Sequence, residues 1–180
     1  MLGIVFTSLV EMLEENISPE FADEVLVAAN LENDGAFTAV GYYPFSELQK
    51  IMVVLVTKTG RPLNDLLYDY GKYLFTVLSA GHAGMMANRQ SVLEILDCLD
   101  DDIHVQVRKL YPDADLPSFK VLERAPEAIK MEYHSMHDLY ALAEGLIDGA
   151  AAYFSQEVEH QVTPTDVPHT YHIDVKLIAS

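Results

Sequence analysis

The spacing of apolar residues changes near Pro112, and this change limits the possible fold more than any other feature of the chain. Before it, stretches such as FSELQKIMVVLVTKTG carry apolar residues three and four positions apart, which predicts amphipathic helices. After it, SFKVLERA and AIKMEYHS alternate apolar and polar residues, and Pro126 and Glu127 between them predict a β-hairpin. One more helical stretch and two more alternating segments follow. The sequence therefore predicts an α+β fold in which a long helix lies on an antiparallel sheet.

Local signals predict where several of the helices begin and end. Ser18 followed by Pro19 is typical of a helix N-terminus, because serine caps free amide groups and proline suits the first turn. Gly60 is expected to end a helix. Gly71 lies inside a helical stretch, where we expect it to allow another element to pack closely.

No repeat or low-complexity linker divides the chain, so we expect one domain over residues 1–180. Within it we expect a helical lobe at residues 1–61 and a second lobe at residues 62–180. Half of the residues are hydrophobic, which is enough for a packed core in a chain of this length.

The charge of the chain argues against two classes of partner. Its 28 acidic and 11 basic residues give a formal net charge of −17, which repels nucleic acid and anionic lipid. The longest apolar run, IMVVLV, is far shorter than a membrane-spanning helix, and no basic region precedes the apolar start. We therefore expect a cytoplasmic protein. The single cysteine, Cys98, cannot form an internal disulfide and is expected to be a small core residue.

His104 is the first candidate for chemistry. In the segment LDDDIHVQVRKLYP it lies at the rim of a helical apolar face, beside Val107 and Tyr111, where a side chain can reach into a pocket. Asp100 and Arg108 lie four residues before and after it, so a surface ladder of charges explains the residue equally well.

A second candidate site lies in the segment MEYHSMHDLY. In an extended strand Tyr133 and Ser135 point to the same face and present two hydroxyl groups, which suit a carboxylate ligand. Ser135 with Asp138 three residues later also resembles a capping box, in which the serine serves the helix that follows. Both roles remain open at this point.

The C-terminal histidines do not predict a metal site. His160, His169 and His172 lie near Asp166, but their spacing in strands does not bring two of them to one face. The sequence also contains no glycine-rich phosphate loop and no nucleophile elbow. We therefore expect a protein without catalytic activity.

Taken together, these segments resemble the heme-nitric oxide/oxygen-binding domain, H-NOX, over nearly the whole chain. The matching stretches include MLGIVFTSLVEML, GRPLNDLLYDYGKYLF and HVQVRKLYPDADLPSF. The resemblance implies a helical distal lobe, a proximal lobe of helices and a four-stranded antiparallel sheet, and heme b between them. It also implies that His104 is the axial ligand of the heme iron and that Pro117 presses on the heme.

In this family a Tyr-x-Ser-x-Arg motif binds the heme propionates, and the chain departs from it at the last position. Tyr133 and Ser135 match, but His137 replaces the arginine. Histidine makes fewer charge-assisted hydrogen bonds to carboxylates than arginine does, so heme should be held less firmly. Tyr140 lies where many bacterial members have a zinc-binding cysteine, so we expect no zinc site.

The resemblance implies a gas sensor of the stand-alone bacterial type that signals to a separate protein, in the family a histidine kinase or a cyclic-di-GMP enzyme. Positions that match the distal pocket are all apolar: Val5, Leu74, Leu142 and Leu146. We therefore expect the ferrous protein to bind NO and CO but not to form a stable oxygen complex. The alternative is an interaction module of the same fold that binds heme weakly or not at all.

Overall fold

The computed structural model describes residues 1–178, without the side chain of Met85, and has the predicted α+β class. The order of its elements agrees with the spacing of apolar residues: helices come first, and a β-β-α-β-β series comes last. The helices are α1 (Ile4–Asn16), α2 (Pro19–Ala29), α3 (Phe45–Thr59), α4 (Leu63–Gly81), α5 (Ala83–Met86), α6 (Val92–Asp97), α7 (His104–Leu110) and α8 (Tyr140–Tyr153). The strands are β1 (Ser118–Ala125), β2 (Ala128–His134), β3 (Val158–Pro164) and β4 (Thr170–Leu177).

The four strands form one antiparallel sheet in the order β1-β2-β4-β3. The hairpin predicted around Pro126 is confirmed, since Ala125 pairs with Ala128 across a two-residue turn. Along β2 the residues Ile129, Met131 and Tyr133 are buried while their neighbours are more exposed, as expected for a strand with one face against a core.

The helix signals near the N-terminus are also confirmed. The Ser18 Oγ accepts a hydrogen bond of 3.1 Å from the Phe21 amide at the start of α2. Gly60 ends α3 with a φ of +68°, in the left-handed region that favours glycine. These ends were predictable because the capping groups act within a few residues of their own position.

Two clusters of buried apolar residues support the domain. The first joins α1, α2 and α3 to the N-terminal half of α4 and to Ala141 and Leu142 of α8. The second joins Phe75 of α4, Met86 of α5, α6 and the rest of α8 to the inner face of the sheet. The division into lobes at residues 1–61 and 62–180 stays a prediction. None of the helices in residues 1–178 is both long enough and apolar enough to span a membrane.

Helices α4 and α8 make the most extensive helix–helix contact, and glycines make it possible. A Cβ on Gly71 would collide with the backbone of Leu142, and one on Gly145 would collide with the carbonyl of Tyr68. The two glycines also face each other, since a Cβ on Gly145 would lie 3.0 Å from the Gly71 Cα. The close-packing role predicted for Gly71 is therefore confirmed.

The segment before His104 differs from the continuous helix that its periodicity predicts. Residues Leu99–Ile103 form a π-helical turn between α6 and α7, in which the His104 amide bonds to the carbonyl of Leu99, five residues back. Such a turn adds a residue to the helix without changing its polar pattern, so periodicity does not detect it. Cys98, just before the turn, is half-buried rather than a core residue. Its Sγ lies 3.1 Å from the Arg89 Nε.

The contact between α4 and α8 gives a first prediction. Gly145→Ala should lower the free energy of unfolding by about 1–3 kcal/mol, because the new methyl group has no space against the Tyr68 carbonyl. Gly81→Ala, at the open end of α4, is the control, since a Cβ there has no neighbour within 4 Å. Urea unfolding followed by circular dichroism measures both variants. Equal stabilities for the two would contradict the proposed tight contact.

Candidate functional site

A cavity of about 300 Å³ lies between α1, α4, α8, the α6–α7 segment and the sheet. Most of its lining is apolar. All nine residues predicted for the site line it: Val5, Leu74, His104, Pro117, Tyr133, Ser135, His137, Leu142 and Leu146. These residues come from distant parts of the sequence, and the fold brings them to one internal surface.

His104 lies at the first position of α7 and its side chain is only 12% exposed, so it does not belong to a surface ladder. Its Nδ1 lies 2.6 Å from the Asp100 Oδ1, and the other Asp100 oxygen accepts a 2.8 Å hydrogen bond from the Phe119 amide. Burial lowers the pKa of His104 below its ordinary value, although Asp100 opposes this shift. The neutral imidazole therefore donates from Nδ1 to Asp100.

This hydrogen bond fixes the chemistry of the other ring nitrogen. With Nδ1 protonated, Nε2 carries the lone pair, and within residues 1–178 it makes no hydrogen bond. A histidine whose Nδ1 donates to a carboxylate is the usual form of a metal-binding histidine, because the carboxylate fixes the tautomer and orientation. His104 is thus prepared to bind a metal ion through Nε2.

The polar residues of the cavity are gathered at the end of β2 and in the loop that follows it. Tyr133 is 1% exposed, and burial raises the pKa of its hydroxyl to about 12, so the group stays protonated. Ser135 and the backbone at Leu139 lie near this hydroxyl and partly offset the effect of burial on its pKa. Together they form an edge of hydroxyl groups that suits a carboxylate ligand.

His137 completes this edge but is held by other groups. Its Nε2 lies 2.7 Å from the Asp115 Oδ2, and Asp115 also lines the cavity. Its ring stacks on Phe45 at the start of α3, with the ring centroids 4.0 Å apart. The side chain therefore bridges α3, the segment before β1 and the loop after β2.

The capping-box interpretation of Ser135 is wrong. Helix α8 begins only at Tyr140, and no side chain caps it. The Ser135 Oγ instead accepts a 3.3 Å hydrogen bond from the His137 amide, which closes a tight turn before the helix. Serine and threonine form such turns readily, and sequence spacing does not distinguish them from helix caps.

A separate network holds this turn against the sheet. Asp138 has a φ of +50°, in the left-handed region, and its Oδ2 lies 2.8 Å from the His169 Nδ1. Its other carboxylate oxygen accepts a 3.3 Å hydrogen bond from the Tyr171 hydroxyl. The carbonyl of His169 accepts the Ser135 amide at 3.1 Å. These contacts fix the backbone that presents Ser135 and His137.

The opposite wall of the cavity is apolar. It includes Val5 of α1, Leu74 of α4, and Leu142 and Leu146 of α8. Two nearby tyrosines have their hydroxyls engaged elsewhere. Tyr140 accepts a hydrogen bond of 3.0 Å from Asn64, and Tyr73 donates one of 2.9 Å to Glu15. Neither tyrosine lines the cavity.

The C-terminal histidines lie in separate places. The two ring nitrogens of His160 lie 3.2 Å from Glu144 and 3.1 Å from Asp148, while His169 pairs with Asp138. Within residues 1–178, no three histidine, cysteine or acidic side chains converge as metal ligands. His160 instead joins β3 to α8. The Asp148 contact is the main cause that raises the pKa of His160, with Glu144 adding to it and burial opposing it.

Two further residues of the site were not predicted from the sequence. Asp115 is one of many acidic residues, and only the fold shows that it meets His137. His82, at the end of α4, also lines the cavity, and its Nδ1 lies 3.2 Å from the Leu78 carbonyl. Its spacing of eight residues from Leu74 was the available signal, since both lie on one helix face.

Comparisons with known proteins agree on one family. The model of a family described as haem-NO-binding matches residues 2–162. The unliganded Fe(II) H-NOX protein from K. algicida is 28% identical, with a TM-score of 0.93 over 100% of this chain and 98% of that chain. The IWP-051-bound Fe(II)CO H-NOX from Shewanella woodyi is 33% identical, with a TM-score of 0.84 over 98% and 94% of the two chains.

A curated relative extends the likeness to a larger protein. The soluble guanylate cyclase gcy-37 from Caenorhabditis elegans is 25% identical over 154 residues, which are 82% of this chain. The chain matches only 21% of that relative's length.

The ion pairs of His160 predict a pH-dependent contribution to stability. Because the folded pKa is raised, this contribution is present in full below the ordinary histidine pKa of 6.5 and is lost as pH rises through the folded value. A double-mutant cycle of His160→Gln and Asp148→Asn, followed by urea unfolding, measures it. The coupling energy should be larger at acidic than at alkaline pH. A coupling that is constant with pH would contradict the assignment.

Proposed function

Because the chain belongs to the haem-NO-binding (H-NOX) family of heme-based gas sensors, we propose that it holds heme b in this cavity and senses NO and CO. The observation that carries the proposal is the state of His104. It lines an apolar cavity with Nδ1 engaged by Asp100 and Nε2 free, while the polar residues of the cavity lie together at one edge.

The residues of the cavity fit this cofactor. When bound, heme would supply a ferrous iron that takes a nitrogen ligand from the protein and binds a diatomic gas. His104 would provide the nitrogen, and Asp100 would keep the imidazole in the tautomer that leaves Nε2 free. The apolar walls remove the macrocycle from water, which is the main source of binding energy for a group of this kind.

The hydroxyl edge provides for the two carboxylates of the cofactor. Tyr133 and Ser135 offer hydrogen bonds, and His137 lies beside them. The pairing of His137 with Asp115 places a carboxylate of the protein close to this edge. His137 can bind a propionate only if the attraction from its positive charge or its ring N–H is stronger than the repulsion between the Asp115 carboxylate and that propionate. We propose that these three residues hold the propionates less firmly than the arginine of the family motif does.

Two residues that line the cavity, Pro117 and His104, would couple gas binding to a change in the protein's conformation. Pro117 lines the cavity just before β1, and its rigid ring resists displacement by the cofactor. His104 follows the π-helical turn, a backbone arrangement that has an α-helical alternative one residue shorter. We propose that this turn can change to its α-helical alternative, which would move His104 relative to the cavity. Such a two-state element is required for a sensor.

The signal would pass to a separate partner or a further domain. The chain matches only 21% of the length of gcy-37, so the cyclase activity in the name of that protein is not carried over to this chain. For this chain we propose a histidine kinase or a cyclic-di-GMP enzyme as the partner, in the cytoplasm. With a net charge of −17, the chain favours a partner with a basic docking surface. The chain itself would be a sensor rather than a catalyst.

Replacing His104, the proposed iron ligand, tests this proposal. The purified protein should show a Soret band, and His104→Gly should change the ferrous spectrum because the protein–iron bond is lost. Added imidazole should restore the original spectrum by filling the space of the side chain. His82→Gly is the matched control, because His82 also lines the cavity but is not the proposed ligand. An unchanged spectrum in His104→Gly would overturn the assignment, and a protein without a Soret band after reconstitution would support the heme-free alternative.

The apolar wall predicts which gases bind. Bound oxygen carries a partial negative charge that needs a hydrogen-bond donor, and Val5, Leu74, Leu142 and Leu146 provide none. The ferrous protein should therefore bind NO and CO but form no persistent oxygen complex in air-saturated buffer. Absorption spectra after rapid mixing measure this. Leu142→Tyr, which adds a hydroxyl to the wall, should lengthen the life of the oxygen complex. A stable oxygen complex in the unaltered protein would refute the prediction.

A further inference from the structure

Three tyrosine rings follow one another from the internal cavity toward the surface of the molecule. Tyr133 lines the cavity and is 1% exposed. Its ring centroid lies 6.2 Å from that of Tyr171, which is opposite it in the pairing of β2 with β4. The Tyr171 centroid lies 4.8 Å from that of Tyr140, the first residue of α8. Tyr171 and Tyr140 are half-buried and lie outside the cavity lining, so this tyrosine series has an inner and an outer end.

The inner end of the tyrosine series also reaches the proposed iron ligand. The centroid of the Phe119 ring lies 5.2 Å from that of Tyr133 and 5.9 Å from that of His104. Phe119 is opposite Tyr133 in the pairing of β1 with β2, so the sheet holds these two rings together. All these separations are typical of aromatic side chains in contact. A continuous path of rings therefore connects His104 in the cavity with Tyr140, whose hydroxyl bonds to Asn64 in an exposed contact.

Tyr171 has a partner that can take up a proton. Its hydroxyl donates a 3.3 Å hydrogen bond to the Asp138 Oδ1, and the other oxygen of this carboxylate lies 2.8 Å from the His169 Nδ1. A phenol that loses an electron becomes a strong acid, so its oxidation is favourable only where a base receives the proton. A carboxylate is such a base. Tyr171 is therefore the member of the tyrosine series that is best placed to be oxidised.

We propose that the tyrosine series is an electron relay that protects the cofactor from peroxide, with Tyr171 as the residue that is oxidised. This inference rests on the proposed function. Electrons pass more readily between aromatic rings in contact than through the saturated side chains that form most of the cavity wall. The relay moves the oxidising equivalent out of the cavity to a ring near the surface, where it no longer attacks the macrocycle.

The reaction balances with hydrogen peroxide as the oxidant. Peroxide takes up two electrons and two protons and becomes two molecules of water. The ferrous iron supplies one electron and becomes ferric, and the Tyr171 phenol supplies the other through Tyr133. The phenolic proton passes to Asp138 along the existing hydrogen bond, and solvent supplies the protons that form water. The products on the protein are a neutral tyrosyl radical and a protonated Asp138.

The test uses hydrogen peroxide and the ferrous heme-loaded protein. Rapid freezing and electron paramagnetic resonance should show a radical whose signal narrows when the tyrosines carry ring deuterium. Tyr171→Phe should lose most of this signal. Its Soret band should also bleach several-fold faster under peroxide, because the oxidising equivalent stays in the cavity. Asp138→Asn, which keeps the ring of Tyr171 but removes the base, should slow the appearance of the radical.

The matched control is Tyr73→Phe. The Tyr73 hydroxyl also donates to a carboxylate, that of Glu15 at 2.9 Å, and the residue is also half-buried, but it does not belong to the tyrosine series. This variant should keep the radical signal and the rate of bleaching. As an independent readout, a nitroso spin trap followed by peptide mass spectrometry should place the adduct on Tyr171 or Tyr140 rather than on Tyr73.

Three outcomes would overturn the relay. They are an undiminished radical signal in Tyr171→Phe, an equal loss of the signal in Tyr73→Phe, and a spin-trap adduct confined to Tyr73. A protein without a Soret band after reconstitution would overturn the proposed function and the relay with it, so the two failures are distinguishable.

Discussion

The close contact of α4 with α8 is the constraint on which the rest of the structure depends. These two helices contribute to both apolar clusters, so the backbone approach at Gly71 and Gly145 holds the two halves of the molecule together. The same pair forms a wall of the internal cavity. Small residues at the crossing bring the helices close, and the larger side chains beyond it shape the cavity.

Histidines supply many of the partners of carboxylate groups in this chain, which has only 11 lysine and arginine residues for 28 acidic ones. Four of the seven histidines pair with carboxylates in residues 1–178: His104 with Asp100, His137 with Asp115, His160 with Glu144 and Asp148, and His169 with Asp138. Each of these pairs joins elements that are distant in sequence or fixes a residue of the cavity. In the described part of the chain, these histidine–carboxylate contacts therefore have the structural role that lysine or arginine ion pairs have elsewhere.

Much of the fold and of the site could be predicted because their signals are local. Apolar spacing identified the helices and the hairpin, and caps such as Ser18 and Gly60 act on their own neighbours. Residue patterns alone indicated His104, Tyr133 and Ser135, and the family resemblance added the other predicted cavity residues together with the long-range pairing that spacing cannot give. The π-helical turn, the partner of His137 and the turn made by Ser135 were missed. The π-helical turn depends on one inserted residue and the His137 contact joins remote segments, so neither alters the polar pattern. The Ser135 turn is local, but its spacing is the same as that of a helix cap.

The carboxylate of Asp100 has a mechanical consequence. One of its oxygens holds the ring of His104, and the other holds the backbone amide of Phe119 in β1, the edge strand of the sheet. A carboxylate is flat and rigid, so the imidazole cannot shift without either turning this group or breaking one of its two bonds. Asp100 therefore links the His104 ring to an edge strand, so a displacement of the imidazole would be transmitted to the backbone of β1 at Phe119.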